Sequence, residues 1–184
     1  MWHQGSALIV VAHHISPHIL QVVDAGGITE LTTALCSQNP CIVKAAAWTI
    51  QHSAMHGSII CDQYASSKVL AQMTFAIEAE DTAPDLKRAL SSAIKEIVKH
   101  CIEPAPLFIL VSDSCPLEVA VAGLSRLYTL LARSVAGRRE FVTTGTIMNL
   151  QRLEQALGSA AYEGINAINS LFPKDLVTYY KTRS

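Results

Sequence analysis

The stretch "VVDAGGI", residues 22–28, can be read as a phosphate-cradling loop or as a joint between two helices. A phosphate loop needs a series of backbone N–H groups turned inward, usually written GxGxxG or GxxxxGK followed by Ser or Thr. Here Gly26 and Gly27 are adjacent, no third glycine follows, and no Lys-Ser or Lys-Thr closes the turn. A joint needs a residue with positive φ, which glycine supplies without the roughly 1–2 kcal/mol steric cost met by an ordinary L-residue. That reading requires helices around the joint and a reason for it to recur.

The helices are legible. Leu86, Leu90, Ala93, Ile94 and Ile97 follow the three-four spacing of one apolar face, opposite Asp85, Arg88, Ser92, Lys95, Glu96 and Lys99. Leu117, Val121, Leu124, Tyr128 and Leu131 repeat the pattern, as do Ile147, Leu150, Leu153 and Leu157. No segment sustains the period-two alternation of a half-buried strand, so the chain reads as all-α. Ser16-Pro17 and Ser114-Cys115-Pro116 place proline where a first helical turn tolerates it, with serine near the cap position. Thr146 reads as an N-cap, and Asn39-Pro40 and Phe172-Pro173 mark breaks.

The reason for recurrence is repetition. His14, His52 and His100 each close a longer apolar-faced helix, and Asp24 and Asp62 each follow ten residues after His14 and His52. "FVTTGTI" (141–147) can be laid on "VVDAGGI" with Gly145 over Gly26 and Ile147 over Ile28. The histidine intervals, 38 and 48 residues, bracket the length of a two- or three-helix solenoid unit. Each unit reads as a short helix, a turn, a second helix and a longer third helix, and Gly26-Gly27 as the joint between the first two. The unit around 102–134 lacks a distinct second helix. The opening "MWHQGSALIVVAHH" reads as a third helix with nothing before it, as in the carboxy-terminal part of a longer array, and "DLVTYYKTRS" reads as a natural end.

Composition agrees with this reading. Half of the 184 residues are hydrophobic and only 16% are charged, which argues against disorder. The longest apolar runs, "ALIVVA" (7–12) and "PLFILV" (106–111), fall far short of the roughly 20 residues that span a bilayer. No basic leader precedes a cleavage site, so an intracellular, soluble protein without membrane attachment is expected. A net charge of −1 argues against nucleic acid as partner. The charge is uneven: 6 basic against 11 acidic residues through position 125, then 8 against 4. Such asymmetry suits head-to-tail association or an acidic partner surface, or simply two solvated faces.

The search for chemistry yields no catalytic set, no metal site and no cofactor site. Cys36, Cys41, Cys61, Cys101 and Cys115 are odd in number and form no CxxC pair, so reduced, mostly buried thiols are expected. In "CSQNPC" (36–41) two half-buried cysteines at a helix end are the expected reading. "HSAMH" (52–56) spaces two histidines four apart but has Ser53 where a zincin needs glutamate. His14 and His18 are also four apart, with Pro17 between them starting a new helix. "GLSRL" (123–127) departs from a nucleophile elbow at Leu127, and lies mid-helix. "EAEDTAPD" (78–85) lacks calcium-loop spacing and reads as a solvated lead-in to the helix at 85–101. Trp48 stands apart: in "NPCIVKAAAWTIQH" the apolar face is carried by Ile42, Val43, Ala46 and Ile50, with Trp48 on another side. It reads either as packing against the next unit or as an aromatic anchor for a partner.

"NPCIVKAAAWTIQHSA" resembles the third-helix phrase of armadillo repeats, and "VVDAGGITELTTAL" their first-to-second-helix phrase. The phrases "VVAHHISPHILQVVDAGGI", "IVKAAAWTIQHSAMH", "AGRREFVTTGTI" and "INAINSLFPKDLVTYY" are similar to the carboxy-terminal portion of the sperm-associated-antigen family, armadillo proteins of the flagellar central apparatus. The resemblance implies a non-enzymatic scaffold of the ciliary or flagellar axoneme, located in the cytoplasm and cytoskeleton. It implies contacts with axonemal proteins, tubulin or microtubules, and a role in microtubule stability and motility. The nuclear-import branch of armadillo proteins repeats Trp and, four residues on, Asn along its groove. Here His52 follows Trp48, and Glu96 stands near the corresponding place in the next unit.

The expected fold is a right-handed α-solenoid of about four armadillo-like units, 1–40, 41–81, 82–134 and 135–184, the first and last incomplete. An apolar helix face open at the front would favour a homo-oligomer. Groove residues expected to meet a partner are Trp48, His52, Lys95, Lys99, Arg126 and Arg133. The alternatives are a soluble adaptor for extended peptides in signalling or transport, which a regular Trp/Asn ladder would favour, and a hydrolase or metal enzyme.

Overall fold

The structure, a computed structural model, describes residues 26–112, 115–157 and 159–183, without the side chains of 155–160. The helix expected in "MWHQGSALIVVAHH", the His14/His18 pair, the Ser16-Pro17 cap, Asp24, Ser114 and the Leu157 side chain lie outside these residues. The chain divides into two compact units, Met1–Cys101 and Ile102–Ser184. All regular structure among the described residues is helical.

In the first unit the helices are α1 (Ile28–Leu35), α2 (Pro40–Ala54), α3 (Ser58–Ser66), α4 (Val69–Glu78) and α5 (Pro84–His100). Gly26 precedes α1 with φ 91°, and Gly145 precedes the helix at 146–157 with φ 77°. The two positions aligned from the sequence thus share the left-handed conformation that glycine adopts without strain. Asn39 caps α2: its Oδ1 accepts from the Cys41 amide at 3.0 Å, and Pro40 takes the first helical position, where no N–H is missed. The long helices α2 and α5 run side by side, and α3 and α4 both pack on α5, while α1 packs on α2 and α4. Their shared core holds Leu35, Ile50, Leu70, Met73, Leu90, Ile94 and Ile97, all almost fully enclosed.

The α5 face is buried as expected: Leu86, Leu90, Ala93, Ile94 and Ile97. The α2 face differs at one residue. Ile42 is 44% exposed, and Ala47, Ser53 and Ala54 complete the buried side instead. Ile42 sits in the first turn, before α2 comes under its neighbours, whereas small side chains further along admit close helix packing.

In the second unit a short 3₁₀ helix, Ala105–Leu110, is followed by α6 (Leu117–Arg133), α7 (Val135–Thr143), α8 (Thr146–Leu157), α9 (Ser159–Asn169) and α10 (Lys174–Lys181). The 3₁₀ turn stands where the sequence shows no distinct second helix. The apolar face expected on α6 is rotated. Leu124 and Leu131 are buried, but Leu117, Val121 and Tyr128 are 43%, 41% and 40% exposed. Val119, Ala120, Gly123 and Leu127 are buried in their place. α6 is packed by the 3₁₀ helix, whose Leu110 lies against Gly123, by α7, and by α9, whose Gly164 lies against Leu124. A periodicity count sees one stripe, and contacts on several sides turn it.

Two boundary expectations are also corrected. Thr146 is the first residue of α8 rather than its cap: the Gly145 carbonyl accepts from the Met148 and Asn149 amides, and Thr146 Oγ1 bonds Thr144 Oγ1 at 2.9 Å. Pro116 precedes α6 rather than entering its first turn. Ser134 caps α7 by accepting from the Gly137 amide at 2.9 Å, and Arg138 Nη1 donates to the Leu131 and Ala132 carbonyls that end α6. Phe141 lies between Phe108, edge-on at 5.1 Å, and Phe172, stacked at 5.9 Å.

Candidate functional site

On α2, Lys44, Trp48 and His52 are each spaced four apart, which sets them on one helical face, and Met55 follows as the residue that caps the end of the helix. On α5, Asp85, Arg88, Ser92, Lys95 and Lys99 are spaced three, four, three and four, again one face. The Lys44 ammonium meets the Asp85 carboxylate at 2.5 Å, both side chains near half exposed. Because this pair joins the first members of the two stripes, and α2 and α5 pack along one another, the stripes lie side by side on one surface.

Trp48 is 51% exposed. His52 lies against it, ring centroids 6.4 Å apart and planes tilted by 52°, and its Nδ1–H donates to the Trp48 carbonyl at 2.8 Å. That bond holds the imidazole along the helix and steadies the indole beside it. Met55, 59% exposed, stands at the end of α2 just past the helix.

On α5, Arg88 and Lys99 are exposed and Lys95 is half-buried. Lys99 Nζ donates to Glu96 Oε1 at 3.2 Å, and His100 Nε2 stands 3.1 Å from the same oxygen. Both carboxylates beside this surface are therefore engaged within the unit: Asp85 by Lys44, and Glu96 by Lys99 and His100. The Lys44 ammonium, bonding and charging at once, holds the Asp85 carboxyl below the ordinary carboxylate range.

Of the residues singled out from the sequence, Trp48, His52, Lys95 and Lys99 stand on these two neighbouring helices of the first unit. Arg126, half-buried, and Arg133, exposed, stand seven apart on α6 of the second unit. Sequence reasoning passed over Lys44 and Arg88. The signal was present, since Lys44 is four residues before Trp48 and Arg88 seven before Lys95, both helical spacings. It also passed over Tyr162 and Asn166 on α9, an exposed aromatic with asparagine four residues on, the spacing that His52 interrupts after Trp48.

Outside these stripes the chemistry is sparse. Cys36 and Cys41 are exposed rather than half-buried, and Cys36 Sγ donates to Gln72 Oε1 at 3.3 Å. They flank a short turn between α1 and α2 that no other element covers deeply enough to enclose them. Cys61, Cys101 and Cys115 are buried. Burial pushes the Cys61 thiol up to about 12, with the Asp62 and Glu96 carboxylates adding to the effect. Such a thiol stays protonated and unreactive. His56 lies beyond the end of α2, so the two histidines of "HSAMH" do not share a helix. Ser125 lies in the middle of α6, remote from any strand-to-helix turn. Among the described residues no three His, Cys, Asp or Glu side chains gather as a metal site, and no helix is long and apolar enough to cross a membrane.

No protein-family model matches the chain. Over 141 residues, 76% of its length, the chain is 29% identical to sperm-associated antigen 6 of Homo sapiens and 28% identical to that of Mus musculus. It spans 27% of the length of these curated relatives. Among solved structures it is similar to a designed armadillo repeat protein in complex with peptide (KR)4, with a TM-score of 0.53 at 14% identity, covering 97% of this chain and 79% of that one. A second designed armadillo repeat protein gives a TM-score of 0.54 at 15% identity, covering 96% and 78%. These likenesses show the fold, an α-solenoid of armadillo-type repeats, as the sequence led one to expect.

Proposed function

We propose that this armadillo-repeat chain, a relative of sperm-associated antigen 6, is part of a non-enzymatic scaffold of the ciliary or flagellar axoneme. It acts through protein–protein contacts in the central apparatus and contributes to microtubule stability and motility. The observation that carries the reading is the sequence relationship over 141 residues, joined to a fold of the same repeat class. The paired stripes of α2 and α5 are the partner-binding surface, with Trp48 as its aromatic anchor, and Arg126 and Arg133 on α6 serve the same role in the second unit. The repeat boundaries that fit this reading are 1–40, 41–81, 82–134 and 135–184.

The reading fits the physics of the surface. An exposed indole steadied by its neighbour is costly to leave in water and supplies a large rigid contact at low entropic cost. A catalyst instead needs a base, a nucleophile or an ion brought into a cleft.

The test is localisation of the full-length protein, tagged, in a flagellated cell extracted with detergent. Retention along the extracted axoneme, lost in mutants without a central pair, is the expected result. Release into the soluble fraction, or accumulation in the nucleus, would overturn it. One observation favours a second reading, a soluble adaptor for extended peptides: the designed armadillo repeat protein of similar fold is in complex with peptide (KR)4.

A further inference from the structure

We infer that α10 is an exchangeable arm: it leaves α8 of its own chain and takes the same seat on α8 of a second copy, so that two chains pair by trading these helices. The inference lies wholly within the second unit and stands apart from the stripes of α2 and α5. Its ground is how lightly α10 is held. The helix has 8 residues, none of them buried, and it packs chiefly on α8. Leu176, Val177 and Tyr180, spaced one and three apart on one face, are only half-buried. Tyr179, on another side, is 47% exposed and carries Arg183 over its ring at 4.3 Å. An ion pair fastens the far end, Lys181 Nζ to Glu154 Oε2 at 2.9 Å, and both side chains reach solvent. Pairs of this kind hold weakly.

The body of the unit keeps its place when α10 leaves. Gln151 Nε2 donates to Asn169 Oδ1 at 2.9 Å, a buried amide pair that ties α8 to the end of α9, and Phe172 is stacked on Phe141. Pro173 follows with φ −58° and ψ 138°, an extended exit about which α10 turns as one piece. Opening therefore breaks only half-buried contacts and belongs to the low end of a domain's local openings. A helix of this length is too short to stand alone in water, where about 12–15 residues are needed, so a released α10 requires an apolar seat. The segment that fits the uncovered side of α8 is α10 itself. In a second copy it is identical in shape and charge, with Lys181 again meeting Glu154. Exchange thus preserves the contacts between the two helices, and what remains is the entropy of association, which protein concentration offsets.

The experiment uses the 184-residue chain with Cys36→Ser and Cys41→Ser, which leaves the buried Cys61, Cys101 and Cys115. One batch carries Glu154→Cys and a second Lys181→Cys; the two are mixed at high concentration and treated with a short bis-maleimide. Peptide mapping is expected to find 154-to-181 links between chains about tenfold or more above 154-to-154 and 181-to-181 links, because exchange seats the two thiols side by side. A chain carrying both substitutions, linked internally while dilute, should not pair when concentrated. A second measurement avoids cysteine. Glu154→Lys and Lys181→Glu each set like charges at the seat, and mixing the two variants restores opposite charges only by exchange. The mixture should hold severalfold more dimer by sedimentation than either variant alone, an excess lost in high salt. If 154-to-181 links form only within the doubly substituted chain, and the mixed variants hold no excess of dimer, α10 stays on its own α8 and the exchange is wrong. If the doubly substituted chain gives no internal link either, α10 has no seat on α8 and the exchange is again wrong.

Discussion

Ser53 of α2 and Tyr64 of α3 share a hydrogen bond of 2.7 Å inside the first unit, with both side chains almost wholly enclosed. Ser53 Oγ also reaches the Thr49 and Ile50 carbonyls, at 2.8 and 3.0 Å. The serine hydroxyl can therefore donate to its own helix while accepting from the phenol. The pair is asymmetric: Ser53 has other partners, and the Tyr64 hydroxyl is held by Ser53.

Tyr64→Phe is expected to cost about 1 kcal/mol, because it removes one bond and leaves Ser53 satisfied by the helix. Ser53→Ala is expected to cost more, about 1–3 kcal/mol, because it strands a buried phenol. Urea unfolding of the two variants checks the order, and equal losses would contradict it.

Alkaline pH should loosen the first unit. Burial pushes the Tyr64 phenol from 10.0 to about 12, the Ser53 bond pulling the other way and Cys61 adding to the rise. The Cys61 thiol, raised from 9.0 to about 12 chiefly by burial, behaves alike. Between those limits the unfolded chain has released protons that the folded chain retains, so stability is full below about pH 9 and is lost as pH rises toward 12. Tyr64 alone accounts for something on the order of 2–3 kcal/mol. Denaturant midpoints at rising pH should fall, and fall less steeply in Cys61→Ala/Tyr64→Phe.

Gly137 lies in the first turn of α7, and a Cβ there would come within 2.7 Å of Pro104 Cγ and 3.0 Å of Ser134 Oγ. Alanine usually favours a helix over glycine by about 1 kcal/mol. Here the ring of Pro104 cannot swing aside as a flexible side-chain tip would, so Gly137→Ala is expected to destabilise by about 1–3 kcal/mol. Thermal melts decide between the signs.

Trp48 and Leu124 should separate binding from folding. Leu124, 1% exposed, packs against Gly164, and Leu124→Ala is expected to cost about 2–5 kcal/mol. Trp48, 51% exposed, is expected to change stability by less than about 1 kcal/mol on replacement by alanine. A large loss at Trp48 would show that its ring is structural packing.

Much of this was legible beforehand. The all-helical class, the buried face of α5 and the positive φ at Gly26 and Gly145 follow from spacing and from the one residue type that tolerates φ > 0. Those features are local, and local chemistry is written in the chain. The candidate surface was legible in part. Trp48, His52, Lys95 and Lys99 stood out by residue type, whereas Lys44 and Arg88 belonged to the same stripes and were passed over.

The sequence by itself determined the all-helical class, the apolar face of helices such as α5, and the proline break at the start of α2. Tertiary structure decided which way α6 turns its apolar residues, leaving Leu117, Val121 and Tyr128 half exposed, because several neighbours compete for that helix. It also decided that Lys44 reaches Asp85 across 41 positions and so joins two stripes into one surface. Periodicity reports the side of a helix that prefers to be buried, and only the packed neighbours determine how far around the helix that burial extends.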